Sequence, residues 1–416
     1  MPNDMSFYQA ATLLNAVQQQ ATGQASIAPA NFDEFVSAAQ TTLRMGYDPV
    51  MNAISQVFSR TIFSIRPYDR RFALAEVSES AYGNHVRKLS IADTPIEDDE
   101  RYKWPAGYDY DGSQAANPLG DGESVDMQRI KKNQVLQTNF YGANVWQDHY
   151  TIWRDQLDCA FSSPDEFARF VAMVTGNMSD KLEQVRESMG RACVINSIIG
   201  TLGENNDIAA GMFDLTHRTI PMISLYNAYT GEEFTYADIF KPENWAAFTR
   251  WAFSIIQSVS KLMEQRSEAF QTVVDGKHVM RHTPKDKQKM FVHTQAMSMF
   301  DTMASAVTYN DGYLTLPNGV RVEEVAFWQS IKNPMSVQGT GSRIGTNGKP
   351  VTYTTETPAI VLAYLFDEEA LGYATLQQWA APAPFNAAGG YTNTWLHETQ
   401  RLYNDHTEKS VVFLLA

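Results

Sequence analysis

The chain has 416 residues, 44% apolar and 19% charged, and no apolar run approaches the ~18 residues a membrane-spanning helix needs. Disordered, collagenous and multi-span membrane classes drop out, and roughly 150 residues per domain gives two or three domains. With 33 Lys and Arg against 47 Asp and Glu, the net charge of −14 opposes a tightly gripped nucleic acid, though not an acidic wall facing packed DNA. Cys159 and Cys193 are the two cysteines, which excludes a disulfide scaffold and a cysteine zinc site. The first 30 residues carry no Lys or Arg and no apolar core, so no signal peptide is expected.

Residues 6–20 place Phe7, Ala10, Leu14 and Val17 on one helical face, and Asn31 with Glu34 forms a capping-box pattern before Phe35. A third short helix opens at Asp48-Pro49. These helices form an arm with too little apolar surface to fold alone. The period changes over 61–92, where Ile62, Phe63, Ile65, Phe72, Leu74, Val77, Val86, Leu89 and Ile91 predict strands broken by Pro67 and Gly83. Residues 93–126 then hold 10 acids against Arg101 and Lys103, with frequent Pro and Gly and no period. A stretch this long without a period is a functional or disordered loop. Strand chemistry returns over 131–153, so 75–150 reads as an extended excursion, out and back.

Ser163-Pro164-Asp165-Glu166 combines an N-cap, proline at the first helical position and acids in the first turn. An apolar stripe follows from Phe167 to Leu202, with Ala192 on it; Glu183, Glu187, Arg191 and Gly190 fall opposite, on the wet face. Unbroken, the helix spans ~58 Å, as long as the ~56 Å diameter of a compact globule of this size. That length predicts a flat subunit with exposed edges, which favours assembly. A second amphipathic helix is predicted over 242–270, and the segment 277–289 carries a net charge of +4. A strand over 290–292 precedes a helix running to 305. Residues 311–358 are turn-rich with strand pieces at 320–328 and 351–355, and 360–366 is a buried strand. The carboxyl end reads as a hairpin, 391–402 and 409–415 around Asn404-Asp405, whose last strand completes a sheet built by earlier segments.

No catalytic constellation stands out. His278-x-x-x-His282 has zinc spacing but lacks the intervening Glu and sits among cations. Asp109-Tyr110-Asp111-Gly112 resembles a calcium loop, yet the turn glycine and the closing Glu are missing at their positions. Gly339-Thr340-Gly341 and Gly348-Lys349-Pro350 fail as phosphate loops, since Pro350 stands where a magnesium-holding hydroxyl belongs. Ser258-x-x-Lys261 fits a nucleophile motif but lies mid-helix without companions. No catalytic, cofactor or metal residue is assigned, and no cofactor is expected.

The order of parts resembles the major capsid protein of tailed bacteriophages, the fold named for phage Hong Kong 97, and within it the shell proteins of small short-tailed phages. Three segments carry the resemblance: 59–72, reading SRTIFSIRPYDRRF; 139–153, leading into the capped helix at Ser163; and 403–415, reading YNDHTEKSVVFLL. The resemblance implies an α+β chain that assembles into hexamers and pentamers of an icosahedral or prolate head around double-stranded DNA. Residues 1–60 would be the N-arm, 61–160 the extended E-loop with its flanking strands, and 161–234 the peripheral domain with its spine helix. Residues 235–390 would be the axial domain, and 391–416 the terminal hairpin returning to the peripheral domain. The implied place is the virion, after assembly in the host cytoplasm. The chain itself is the implied partner, with scaffolding, portal and decoration proteins beside it and no membrane. The family's lysine–asparagine crosslink has no motif here.

Charge pattern adds one expectation. The acidic excursion needs cations, so Asp98, Asp99 and Glu100 are expected to meet Lys285, Lys287 and Lys289 across a subunit boundary. Two alternatives stay open on sequence alone: a bacterial nanocompartment shell, which shares the fold, and a soluble carbohydrate-active hydrolase.

Overall fold

The structure, a computed structural model, describes residues 7–22, 31–44, 53, 70–77, 85–93, 127–128, 130, 132–204, 208–209, 214–298, 317 and 319–416. Its helices and strands begin with α1 (Phe7–Thr22), α2 (Phe32–Arg44), β1 (His85–Ile91), β2 (Val135–Tyr141), β3 (Asn144–Trp153), α3 (Arg154–Ala160) and α4 (Pro164–Leu202). There follow β4 (Thr219–Pro221), α5 (Met222–Thr230), α6 (Tyr236–Ile239), α7 (Pro242–Glu264), β5 (Gln288–His293) and β6 (Arg321–Val325). The chain ends with β7 (Ser336–Val337), β8 (Thr340–Ile344), β9 (Pro350–Thr354), β10 (Ala359–Asp367), β11 (Leu371–Pro382), β12 (Tyr391–Asn404) and β13 (Ser410–Leu414).

Helix α4 starts as its sequence dictates. Ser163 Oγ accepts the Glu166 amide at 3.1 Å, Pro164 fills the first turn, and the helix runs 39 residues without a break. Its amino half buries Phe167 and Phe170 against Ala10, Leu14 and Val17 of α1 and Phe35 and Ala39 of α2. Asn31 caps α2 by accepting the Glu34 amide at 3.0 Å. The arm thus borrows a core from the long helix and from Ile152, Leu157 and Phe161 just before it.

The carboxyl half corrects the single-stripe reading. Cys193, Val194, Ile198 and Ile199 lie in a sheet-packed core, but Glu183 and Gly190 are buried too, and Ala192 is exposed. Structure on more than one side of the helix covers it there, so a two-sided wheel cannot describe it. A Cβ at Gly190 would stand 2.9 Å from Tyr373 Cε1 and 3.0 Å from Phe72 Cβ. Gly190 is therefore a close-approach residue, not a surface one.

One sheet runs in the order β4-β13-β10-β5-β6, with β7 on the far end of β10. Strand β10 is buried along most of its length, which explains its continuous apolar run. Ala363, Leu365, Val411 and Phe413 belong to a core with Trp245, Phe248 and Ile256 of α7. Tyr364, Phe366 and Val412 belong to the core with α4. A second sheet, β11-β12-β3, packs on the middle of α4 through Leu182, Leu396 and Tyr150.

Further expectations are corrected. Strands β12 and β13 do not form a hairpin: β12 pairs with β11 and β3, whereas β13 pairs with β10 and β4. The chain crosses between sheets twice side by side, once from β10 to β11 and once from β12 to β13. Strands β11 and β12, on either side of 390/391, share one sheet. Residues 72–77 are no strand: Phe72 has φ 63°, and a 3₁₀ turn follows over Ala73–Ala75. Glu323 accepts the Phe72 and Leu74 amides and fixes this turn. Helix α7 ends at Glu264, short of 270.

Candidate assembly surfaces

Strands β1 and β2 pair antiparallel from His85↔Tyr141 to Ile91↔Val135, closing the root of the acidic excursion into a ribbon. Out and back is thus observed at the root; residues 94–126, with Asp98, Asp99, Glu100 and the 109–112 loop, lie outside the described residues. Alternation gives the ribbon two faces. On the inner face, Leu136 packs with Ala92 against Val274, Val279 and Ile344, and Phe140 meets Tyr403 at 5.3 Å. On the outer face, Leu89 is 55%, Ile91 65% and Val135 48% exposed. Ile91 stands directly opposite Val135, so the three form one apolar stripe.

The sheet β11-β12-β3 also has an outer face. Register places Trp379, His397 and Gln147 in one row and Ala381, Trp395 and His149 in the next. Trp379 stacks on His397 at 4.0 Å and His149 on Trp395 at 4.5 Å, while Trp153 tilts against Tyr391 at 5.1 Å. Asn393 accepts a hydrogen bond from Thr151 at 2.7 Å in the row between. No Asp, Glu, Lys or Arg stands in these rows, in a chain whose net charge is −14. Aromatic enrichment with charge depletion is the composition of an interface core.

The basic segment is spent unevenly. Lys289 is 5% exposed, and its ammonium donates to the Leu74 carbonyl at 2.6 Å inside the subunit. Burial lowers its pKa from the usual lysine value. Lys289 therefore cannot reach a neighbour, which corrects its expected role. Lys287 is exposed and pairs with Glu368, which also holds Arg321 at 2.6 Å. Lys285 is half-buried in the turn before β5. Among the described residues, the root of the excursion touches this segment in its own chain. Asp93 pairs with Arg266 and accepts the Met280 amide at 2.7 Å, and Lys277 donates to the Val135 carbonyl at 3.1 Å.

The other motifs resolve structurally. His278 Nδ1 contacts Glu268 at 2.7 Å, and among the described residues no three potential metal ligands gather. The glycine-rich 339–350 stretch is the β8–β9 hairpin, with Gly341 against Ile199. Ser258 donates to the Ser254 carbonyl at 2.8 Å along the surface of α7.

The family model for the Phi29-like phage major capsid protein matches residues 14–414. The chain belongs to that family. Its role is structural, not enzymatic, and its place is the virion shell, where it assembles with itself. No curated protein matches it. Solved structures similar to it include the capsid of Staphylococcus phage Andhra, at 12% identity over 85% of this chain and 86% of that one, TM-score 0.49. The capsid of cyanophage P-SCSP1u is similar at 11% identity over 85% and 90%, TM-score 0.43. The α+β class expected from the sequence is the class observed.

Two charged networks of the capsid protein escaped sequence reasoning. Across the middle of α4, Glu183 holds Arg70 at 2.9 Å and Arg186 at 2.9 Å, and Arg186 also grips the fully buried Glu398 of β12 at 3.0 Å. This pins the segment before the 3₁₀ turn, the helix and the second sheet together. At the end of α4, the fully buried Arg218 reaches Glu204 at 3.1 Å and donates to Thr272 at 2.7 Å and Ser410 at 2.6 Å. Arg343 reaches the same Glu204 at 2.9 Å. Burial, with Arg218 and Arg343 beside it, holds the His406 imidazole well below the usual histidine pKa and therefore neutral. Exposed charges look identical to these in a sequence; no local signal marks them.

Proposed function

We propose that this capsid protein closes its shell by laying the outer face of the β1–β2 ribbon of one copy on a neighbouring copy. Hexamers and pentamers of a DNA-filled head form in the host cytoplasm through that contact. The observation that carries this reading is the exposed stripe of Leu89, Ile91 and Val135 on a ribbon whose opposite face is already packed on its own body. A stripe of that kind loses water-exposed apolar area only by meeting another molecule. The charge-poor outer face of β11-β12-β3 is the surface of matching character on the neighbour.

In this reading residues 1–60 serve as the N-arm, 61–160 as the E-loop and α4 as the spine of a peripheral domain. The sheet containing β10 and β13 serves the axial domain. Asp98, Asp99 and Glu100 meet the neighbour's Lys285 and Lys287, and scaffolding, portal and decoration proteins complete the head. The test is a Leu89→Asp, Ile91→Asp double variant, followed by light scattering and thermal melting. Both side chains are exposed, so subunit stability should stay within about 0.5 kcal/mol per site, while assembled mass falls to that of the subunit. Full assembly of the variant would overturn the proposal. A Lys285→Glu, Lys287→Glu variant checks the charge contact in the same way.

A further inference from the structure

The ribbon is fastened to the body at a buried cluster of charge. Lys88, on the inner face of β1, lies 3.2 Å from Asp405 Oδ2 and 3.0 Å from Glu369, and pairs with Glu408. Arg281 pairs with the same Glu408, and its other arm donates to Ser90 of β1 at 3.0 Å and to Thr407 at 3.2 Å. The side chain of Asp405 is fully buried and that of Glu408 is 6% exposed. Both sit in the 405–409 crossing between the two sheets, and Glu408 is 320 residues along the chain from Lys88. Asp405 orders that crossing by accepting from the Thr407 amide at 2.9 Å and hydroxyl at 2.6 Å.

Charges of both signs crowd around Glu408, most of them out of water. Lys88 comes from β1, Arg281 from the loop after α7, and Lys409 from the crossing itself, held on the Gln265 carbonyl at 2.7 Å. Against these three cations stand Asp405, Glu408, Glu369 and Asp367; Thr283 donates to Asp367 at 2.6 Å. Three of the four carboxylates are buried, and Asp367 also faces the buried Lys289 of β5.

We propose that the Lys88–Glu408 cluster is a proton-sensitive latch that clamps the ribbon to the body when a proton is taken up and loosens it when the proton leaves. The latch is a property of the single subunit and holds whether or not the ribbon meets a neighbour. Glu408 is the group that exchanges the proton. Burial pushes its carboxyl up to about 7, beyond what Lys88 and Arg281 recover. Burial also opposes the Lys88 ammonium, but Asp405 and Glu408 outweigh it and keep that charge in place throughout the neutral range. A released ribbon leaves Glu408 in water at its ordinary value, about 4.3. The docked form holds the proton more tightly, so docking is favoured at acidic pH and lost as pH rises through neutrality.

The test is hydrogen exchange of the β1 and β2 amides at pH 6 and pH 8, corrected for the intrinsic rate, on the full chain under non-assembling conditions. In the unmodified chain, ribbon exchange should speed up about tenfold at pH 8, the factor that one pH unit of linkage supplies. Amides of β10 and β13 should not change, which separates latch release from unfolding. Glu408→Gln carries the neutral state permanently and should abolish the pH dependence. Glu369→Gln, at a 65% exposed side chain, should lower the pH at which the ribbon loosens. Equal ribbon exchange at both pH values in the unmodified chain, or an undiminished pH effect in Glu408→Gln, would overturn the latch.

Discussion

Gly190 and His406 decide how tightly α4 fits its surroundings, one by its lack of a side chain and one by its lack of charge. A methyl at Gly190 would press on Tyr373 and on Phe72, and Phe72 is itself held by the Glu323 bonds and by Arg191, whose guanidinium stacks 5.4 Å from its ring. Neither neighbour is the free end of a flexible chain. Gly190→Ala should therefore destabilise by about 1–3 kcal/mol despite the gain in helix propensity, read as a shift in the denaturant midpoint. A stabilised variant would mean that the two aromatic rings can move apart. His406 makes the opposite kind of demand. Its neutral ring accepts from Arg218 at 3.3 Å, so a proton there would face a guanidinium in a buried site. The folded pKa is depressed, so the unfolded chain binds the extra proton first. Stability is complete above pH ~6.5 and falls below it by up to about 1.4 kcal/mol per pH unit. Denaturant midpoints between pH 6.5 and 5 should show this slope, and His406→Asn should flatten it. An unchanged slope would move the acid sensitivity to another group.

Elements that announce their ends locally were legible. The Ser163 cap, the proline behind it and the acids of the first turn all act within four residues, so α4 began where the sequence said. Ser163→Ala should lower stability by about 1 kcal/mol, seen as a lower melting temperature together with faster exchange in the first turn. No change would mean that the packed arm alone fixes this end. The faces of α4 were less legible, because a periodicity argument knows only inside and outside. Glu183 looks like a wet residue until Arg70 and Arg186 enclose it. The terminal hairpin failed for a related reason. Two apolar strands separated by a short polar turn read as neighbours, yet the polar residues Asp405, His406 and Glu408 are all buried. They line a crossing between sheets rather than a solvated turn. The ribbon root was legible from composition and alternation; its fastening was not, because Lys88 and Glu408 are 320 residues apart.

At the scale of the whole molecule, α4 carries the arm's core at its amino end and one sheet core at its carboxyl end, while α7 packs the other sheet core. The core that holds the arm contains Leu14, Phe35 and Phe167; the sheet cores contain Phe413 and Tyr364, and no residue is shared between them. Among the described residues, the backbone of α4 and strand β3, whose Ile152 lies in the arm's core while its backbone pairs with β12, bridge the arm's core to the rest. Units with cores of their own can open separately. Leu14→Ala removes fully buried methylene groups, which costs about 2–5 kcal/mol. That loss should fall on the arm alone. Hydrogen exchange should rise in α1, α2 and the opening turns of α4, with β10 and β13 still protected. Phe413→Ala, in the sheet core, should instead raise exchange across both faces of the sheet and lower the main melting transition. If Leu14→Ala also accelerated exchange in β10, the long helix would be transmitting stability along its full length, and the subunit would be one cooperative unit. If it does not, the arm is a separately released part, free to open while the sheets that carry the ribbon stay folded.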